Sequence, residues 1–434
     1  MTEGQIITGV DIGTSKIVTI IAKVDELVNV LGVSEVVSSG IRKGQIVNIE
    51  EATVAINNSI EAAERMAGVS VSRVIASIGG ASIESQNSRG VVAVAQPEGD
   101  VSGSDVNRVI DAAKAVSLPS TREIIHVLPR SFIVDGQEGI KDPVGMTGTR
   151  LEVETHIVTA GSPSVRNLEK AFSQVGVDVE ALVFSGYGSS LSALSDTEKE
   201  LGVVLVDMGA GTTDISIYID GSVAYSSVLP IGARHITNDL AIGLRISLES
   251  SEKVKLFLSR PKKKILKPQE EDGETPQERR PSDEIDLTAL GLPEQLSKVS
   301  QKTLIDGIIR PRLNEIFTMV GLEIKKSGFG GQTPSGLVIT GGGARTVGAV
   351  ESAKRMLAMP VRIGEPQNMK GIIDEIQGSS YSTVTGLAVY GALTGAASAS
   401  GFKMSIPGLS NFANLKIPSK LPKKIIEFIK SFIP

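Results

Sequence analysis

The sequence predicts an α/β protein of at least two domains, each organised on a sheet that opens with the same β-hairpin. Three observations predict it. The chain has 434 residues, more than one ordinary core holds. Hydrophobic residues make up 41% of it but aromatics only 3%, with no Trp, so the cores are packed from Val, Ile, Leu and Ala, a composition that suits buried sheets covered by helices. Most telling, a strand, an Asp-x-Gly turn and a second strand occur twice, at 5–21 and again at 201–219.

In chain order, the apolar run Gln5 to Val10, the turn Asp11-Ile12-Gly13-Thr14-Ser15-Lys16 and the run Ile17 to Ile21 read as a hairpin. Residues 51–67 carry Ile56, Ile60, Ala63 and Ala67 on one helical face, and 71–78 is a strand closed by Gly79-Gly80. From 83 to 162 the pattern changes to short β-like runs around one helix, 102–115, whose start is marked by Ser104 before Asp105-Val106. This stretch reads as an inserted small α+β unit. A helix at 164–174 follows, and the apolar strand 201–206 meets Asp207-Met208-Gly209-Ala210-Gly211-Thr212-Thr213-Asp214 before 215–219 resumes as a strand. Residues 260–291 hold seven basic and seven acidic groups in their first 25 positions and few large apolar side chains, so they are expected to form a mobile loop. A helix at 304–326, a strand at 337–340 entering Gly341-Gly342-Gly343, a helix at 344–358 and a flexible linker at 396–419 complete the order.

Composition removes several classes of function. With no Cys there is no disulfide framework, thiolate metal site or catalytic thiol. Residues 1–5 lack the basic-then-apolar pattern of a signal peptide, and no apolar run approaches a bilayer span, so a cytoplasmic protein is expected. Net charge is −5, but six Lys against one Glu give 403–434 a balance of +5 and leave −10 on the rest. A body that acidic argues against nucleic-acid binding. Its basic tail reads as a separate interaction element.

Holding a polyphosphate and a divalent cation takes close-packed backbone N–H donors, small hydroxyls and an acid that grips metal-bound water. Glycine lets the backbone approach. Asp11 with Gly13, Thr14, Ser15 and Lys16 supplies the set once, and Asp207 with Gly209, Ala210, Gly211, Thr212 and Thr213 supplies it again. Gly341, Gly342 and Gly343 offer a side-chain-free surface to a base or ribose. Either turn alone also fits an ordinary hairpin; the three in this order point to a nucleotide. Neither a Walker A sequence nor a dinucleotide fingerprint is present.

These three motifs resemble phosphate 1, phosphate 2 and the adenosine motif of the actin, sugar-kinase and heat-shock-chaperone superfamily. The stretches Gly139-Ile140-Lys141-Asp142-Pro143-Val144-Gly145-Met146, Ile125-His126-Val127-Leu128-Pro129, Val361-Arg362-Ile363-Gly364 and Tyr381-Ser382-Thr383-x-x-Gly386-Leu387 narrow the resemblance to the FtsA family of bacterial cell-division proteins. It implies an α/β, actin-like two-lobed fold, two ribonuclease-H-like domains with ATP and Mg²⁺ in the cleft between them. The implied first-lobe core is 1–82 with 163–198, and 83–162 is an inserted small subdomain. The second-lobe core is 199–232 with 335–395, and its small subdomain is 233–334. Asp11 and Asp207 would hold Mg²⁺ through water, and Glu252 and Lys255 would meet ribose and base, although a solvated helix face would look the same. Relatives that hydrolyse ATP readily carry Glu or Gln in a segment whose counterpart here is Ser185-Gly186-Tyr187-Gly188-Ser189. ATP is therefore expected to act mainly as a structural and polymerisation ligand, with slow hydrolysis at best.

Read as a helix, 420–434 gathers Leu421, Ile425, Ile426, Ile429, Phe432 and Ile433 with Phe428 at their edge, bordered by Lys423, Lys424 and Lys430. That pattern fits a helix lying in the headgroups of an anionic membrane, or one docked on the protein's own core. The resemblance implies a division-site adaptor at the cytoplasmic face of the membrane. Such an adaptor forms protofilaments with itself, recruits later division proteins and binds the C-terminal peptide of the tubulin-like FtsZ. Arg310 and Arg312 are candidates for that acidic peptide, or plain surface arginines. A small-molecule kinase and a pilus-assembly adaptor of the same superfamily are the alternatives; the kinase lacks a convincing catalytic acid and has no use for the tail.

Overall fold

The computed structural model describes residues 5–399, apart from 25–27, 96–98, 117, 261–282, 295, 297, 368 and 373–375. The tail helix expected at 420–434, most of the linker and most of the charged loop lie outside the described residues. Among those described, no helix is long and apolar enough to cross a membrane.

Both expected hairpins form, and each seeds a sheet of the same topology. In the first lobe Gln5–Ile12 pairs antiparallel with Lys16–Val24, which pairs with Val28–Val37; on the other side Arg73–Ile78 and Asp178–Phe184 add in parallel. In the second, Val203–Met208 pairs with Thr213–Ile219, which pairs with Ser222–Leu229, and Leu337–Thr340 and Val361–Ile363 add in parallel. Every residue of Val203–Met208 and Thr213–Ile219 is buried, as befits central strands covered on both faces. The parallel crossover in the first lobe runs through the helix Ile49–Ala67, started by Asn48 and stopped by Gly68 at φ 67°. Ala52, Ala55, Ile56, Ser59, Ile60 and Ala63 form its buried face.

The insert is a four-stranded antiparallel sheet, Glu84–Ala93, Arg150–Gly161, Arg122–Val134 and Gln137–Ile140 in spatial order, with the helix Gly103–Lys114 against it. Its cap is Ser102, not Ser104, because Asp105 at the third helical position reaches back to the Ser102 N–H at 3.0 Å and completes a reciprocal box. Although it grows from the first lobe, the insert docks on the second. Ser85 Oγ donates to Ser226 O at 2.7 Å, Asn87 Nδ2 to Ala224 O at 3.1 Å, and His156 lies 2.7 Å from Asn87 Oδ1 and 3.0 Å from Ser226 Oγ.

Several boundaries differ from the sequence reading. The stretch assigned to the second-lobe core as far as 395 returns to the first lobe at its end. Met369–Gly371 adds in parallel beside Val28–Val37, and the helix Ser382–Ala399 packs Leu387 and Tyr390 with Ile7, Ile75 and Val183. The linker therefore cannot begin at 396. At the charged loop's far end Glu284–Asp286 pairs with Lys298–Ser300, and Leu287 is buried in the second-lobe core. The helix expected at 304–326 contains a π turn, Ile305–Ile309, ahead of Arg310–Ser327, where Pro311 has no N–H to offer the preceding turn. After Gly341 the chain makes a 3-10 turn, Gly342–Arg345, and the α-helix starts only at Ala349, following Gly348 at φ 81°.

The lobes meet where the helices Ser185–Ala193 and Ser382–Ala399 cross. A β-carbon on Gly386 would fall 1.7 Å from Gly188 O, so the backbones touch at glycine. Beside the crossing, buried His126 accepts from Phe184 N at Nε2 (2.9 Å), and burial holds its pKa down to about 3. Its neutral form contributes stability that is present above about pH 6.5. That stability is lost as pH falls toward 3, because the unfolded chain takes up the proton first. Denaturant unfolding at pH 7, 6, 5 and 4 checks this: His126→Gln, whose amide oxygen can accept the same bond without titrating, is expected to flatten the acid loss by up to about 1.4 kcal/mol per pH unit. Equal slopes for both proteins would contradict it.

Candidate functional site

The two Asp-led turns lie against each other across the seam between the lobes. A β-carbon on Gly211 would come within 2.7 Å of Thr14 Oγ1, and Thr14 Oγ1 itself accepts from Gly44 N at 3.1 Å. The turn of the second hairpin closes through Gly209 N donating to Thr212 O at 2.9 Å. Its outer carbonyls are taken by the next segment, Ala233 N on Gly209 O and Arg234 N on Ala210 O, both at 2.9 Å. The glycine turn joins the same spot: Gly341 has φ 82°, and a β-carbon there would stand 2.2 Å from Asp207 Oδ1. All three sequence motifs therefore converge.

At their base sit three carboxylates. Asp11 is the last residue but one of the first strand, where its Oδ1 accepts from Ser77 Oγ at 2.8 Å on the parallel neighbour. Burial raises its pKa, opposed by that hydrogen bond and the Lys16 charge. Asp207 is pushed up to about 6, first by burial and then by the charge of Asp11, against hydrogen bonds from Thr383 and Ser189 that favour its ionised form. Asp214 is directly opposite Asp207 in the hairpin register. Burial, then Asp207 and Asp11, hold it well above the usual carboxylate range, and its Oδ1 has no hydrogen-bond partner among the described residues. Carboxylates crowded out of water in this way favour a nearby cation. Among the described residues no three His, Asp or Glu side chains form a direct metal cage.

Lys16 and the pair Glu252 and Lys255 are already engaged. The Lys16 ammonium is 2.7 Å from Glu35 Oε2 and 4.1 Å from the centre of the Tyr381 ring. Lys255 Nζ donates to Thr237 Oγ1 at 2.9 Å and pairs with Glu252 at 2.7 Å, while Thr237 Oγ1 donates to Glu252 Oε2 at 2.6 Å. Lys255 also reaches Ala233 O at 3.5 Å, and Ala233 Cβ would sit 3.1 Å from a β-carbon on Gly343, so this pair borders the glycine turn. Arg310 and Arg312 stand apart, on the helix Arg310–Ser327. Arg312 forks onto Asp239 at 2.6 and 2.9 Å and also meets Glu315, and Arg310 pairs with Asp306 at 2.7 Å. Ser77 and Ser379 carry no signal in the sequence; Asp214 stands at the end of the second Asp-led turn and Thr383 within a stretch that supports the family resemblance, without a role assigned to either.

Two family models match the chain: "Cell division protein FtsA" over residues 204–386, and "SHS2 domain inserted in FTSA" over residues 80–159, close to the insert observed. The curated cell division protein FtsA of Pseudomonas aeruginosa is 36% identical over 94% of this chain and 93% of its own length. That of Borreliella burgdorferi is 39% identical over 89% and 91%, and that of Escherichia coli strain K12 is 32% identical over 90% and 91%. Among solved structures, the PilM–PilN type IV pilus biogenesis complex is similar with a TM-score of 0.62 at 13% identity, over 89% of this chain and 98% of that one. MreB 5 of Spiroplasma citri bound to AMPPNP is similar at 0.52 and 13% identity, over 92% and 99%. At such identities the likeness is one of fold, and it bears out the actin-like, two-lobed α/β architecture with its inserted unit.

Proposed function

The chain belongs to the FtsA family of cell division proteins, and on that premise we propose that it binds ATP with Mg²⁺ between its lobes, polymerises, and ties the FtsZ ring to the cytoplasmic face of the membrane. The observation that carries the nucleotide reading is the meeting of the two Asp-led turns over three carboxylates, Asp207 and Asp214 buried and Asp11 partly so, whose charge a cation would balance. Asp11 and Asp207 would hold metal-bound water. Gly13, Thr14, Ser15 and Gly209 to Thr213 would surround the phosphates, and Lys16 could join them by leaving Glu35. Gly341 to Gly343 would meet the adenosine, with Glu252 and Lys255 at its edge. The bound ion supplies charge neutralisation for the phosphates. No carboxylate or amide occurs in 185–189, where the strand Asp178–Phe184 hands over to the crossing helix, and this supports slow hydrolysis. Calorimetry with Mg·ATP is expected to show tight binding that Asp207→Ala lowers by more than about 100-fold, with little turnover in either protein. Brisk hydrolysis abolished by Asp207→Ala would refute the slow-turnover reading, and unaltered binding would refute the site.

The tail supports peripheral membrane attachment at the division site. Its lysines are each worth about 1 kcal/mol near an anionic surface, added to the apolar face, and several tails in one filament would reinforce one another. Full-length protein is expected to float with anionic liposomes, and a version ending at 419 to stay folded in the soluble fraction. Flotation of the shortened protein would rule the tail out.

For the FtsZ peptide, Arg310 and Arg312 remain the proposed contacts, although a peptide carboxylate has to compete with Asp306 and Asp239 for them. An Arg310→Ala, Arg312→Ala variant that keeps its circular dichroism spectrum is expected to bind the FtsZ C-terminal peptide about fivefold or more weakly. Unchanged affinity would move the peptide elsewhere.

A further inference from the structure

One short segment touches all three loops of the cleft. The 3-10 turn Ser379–Tyr381 runs straight into the helix Ser382–Ala399. Ser379 O accepts from Gly341 N at 3.0 Å and from Thr340 Oγ1 at 3.2 Å, and Ser379 Oγ donates to Gly341 O at 3.0 Å. Ser382 Oγ is 2.6 Å from Thr340 Oγ1. The Tyr381 hydroxyl donates to Glu35 Oε2 at 2.8 Å, while its ring lies under the Lys16 ammonium. Two residues after Tyr381, Thr383 Oγ1 donates to Asp207 Oδ2 at 2.9 Å. Ser379, Ser382 and Thr383 are buried, so their hydroxyls are committed to these partners and not exchanged with bulk water.

A carboxylate that reaches an ion through water works only in one orientation, because the water must be met by a directed lone pair. Asp207 is seated for that. One oxygen accepts the hydrogen bond from the Thr383 hydroxyl, and the other lies against the bare α-carbon of Gly341, where any side chain would intrude. The geometry points to Thr383 as a positioning residue of the cleft, which holds the Asp207 carboxylate in the orientation that faces the metal-bound water of a Mg·nucleoside triphosphate. The inference rests on the nucleotide reading above and names the residue on which its metal dependence turns.

Titration calorimetry of the full chain with ATP, in Mg²⁺ and in EDTA, tests it with Thr383→Val and Thr383→Ser. Thr383→Val is expected to weaken binding about tenfold or more in Mg²⁺ while leaving the affinity in EDTA unchanged, and Thr383→Ser to restore it, since outer-sphere partners of a metal site carry losses of about that size. Wild-type Mg·ATP affinity in the Val variant overturns the inference. So does an equal loss in both buffers, for then the hydroxyl supports the fold and not the metal-facing acid. Should the Val protein fail to fold, Thr383→Ala, which removes the hydroxyl without a buried methyl in its place, is read by the same criteria. Failure of both to fold makes the hydroxyl a structural requirement and also overturns it. Wild-type protein that binds no ATP in either buffer refutes the nucleotide reading itself, an outcome told apart because no variant enters into it.

Discussion

Three carboxylates at one seam, two of them buried and the third partly so, are what the rest of the structure is arranged around. Like charges taken out of water repel strongly, and each of Asp11, Asp207 and Asp214 has its proton affinity raised by that setting. Ser77 and Thr383 orient two of the three by hydrogen bonds, while the Lys16 ammonium, whose charge acts on Asp11, is paired with Glu35 and lies over Tyr381. Around the acids the turns approach each other closely at glycine, Gly211 against Thr14 and Gly341 against Asp207, where a β-carbon would not fit. An acidic pit walled by bare backbone is a poor way to stabilise an isolated fold and a good way to wait for a cationic, phosphate-bearing ligand.

The twin topology explains how the acids come together. Each sheet has its hairpin strand first, a third antiparallel strand on one side and two parallel strands on the other. Asp11 and Asp207 therefore occupy equivalent places near the ends of equivalent strands. What brings the ends face to face is the crossing of the helices Ser185–Ala193 and Ser382–Ala399 at Gly188 and Gly386. Side chains at those positions would hold the axes apart and the turns with them.

Much of this was legible in the sequence because the chemistry is local. Asp, Gly and hydroxyl stand within eight residues of one another in each turn, and the alternation into apolar runs marks the strands on either side. The supporting contacts are not local. Thr383 reaches Asp207 across 176 positions, and Ser77 reaches Asp11 across 66, so no window of sequence holds both partners. The return of the chain to the first lobe was hidden for another reason. The helix Ser382–Ala399 is apolar and small all round, which gives it no polar face from which to infer what it packs on. At Ser102 and at Gly341 the general element was right and its start was not, because a reciprocal cap and a left-handed glycine act at single-residue precision.

The insert's attachment changes how the lobes can move. It leaves and re-enters the first lobe, yet it is stitched by Ser85, Asn87 and His156 to the outer strand of the second. Together with the glycine crossing this ties the same two bodies at more than one place, and Ser222 Oγ donating to Arg130 O at 3.1 Å adds to the tie on the insert's side. Each further tie between two bodies removes a direction in which one can shift without carrying the other.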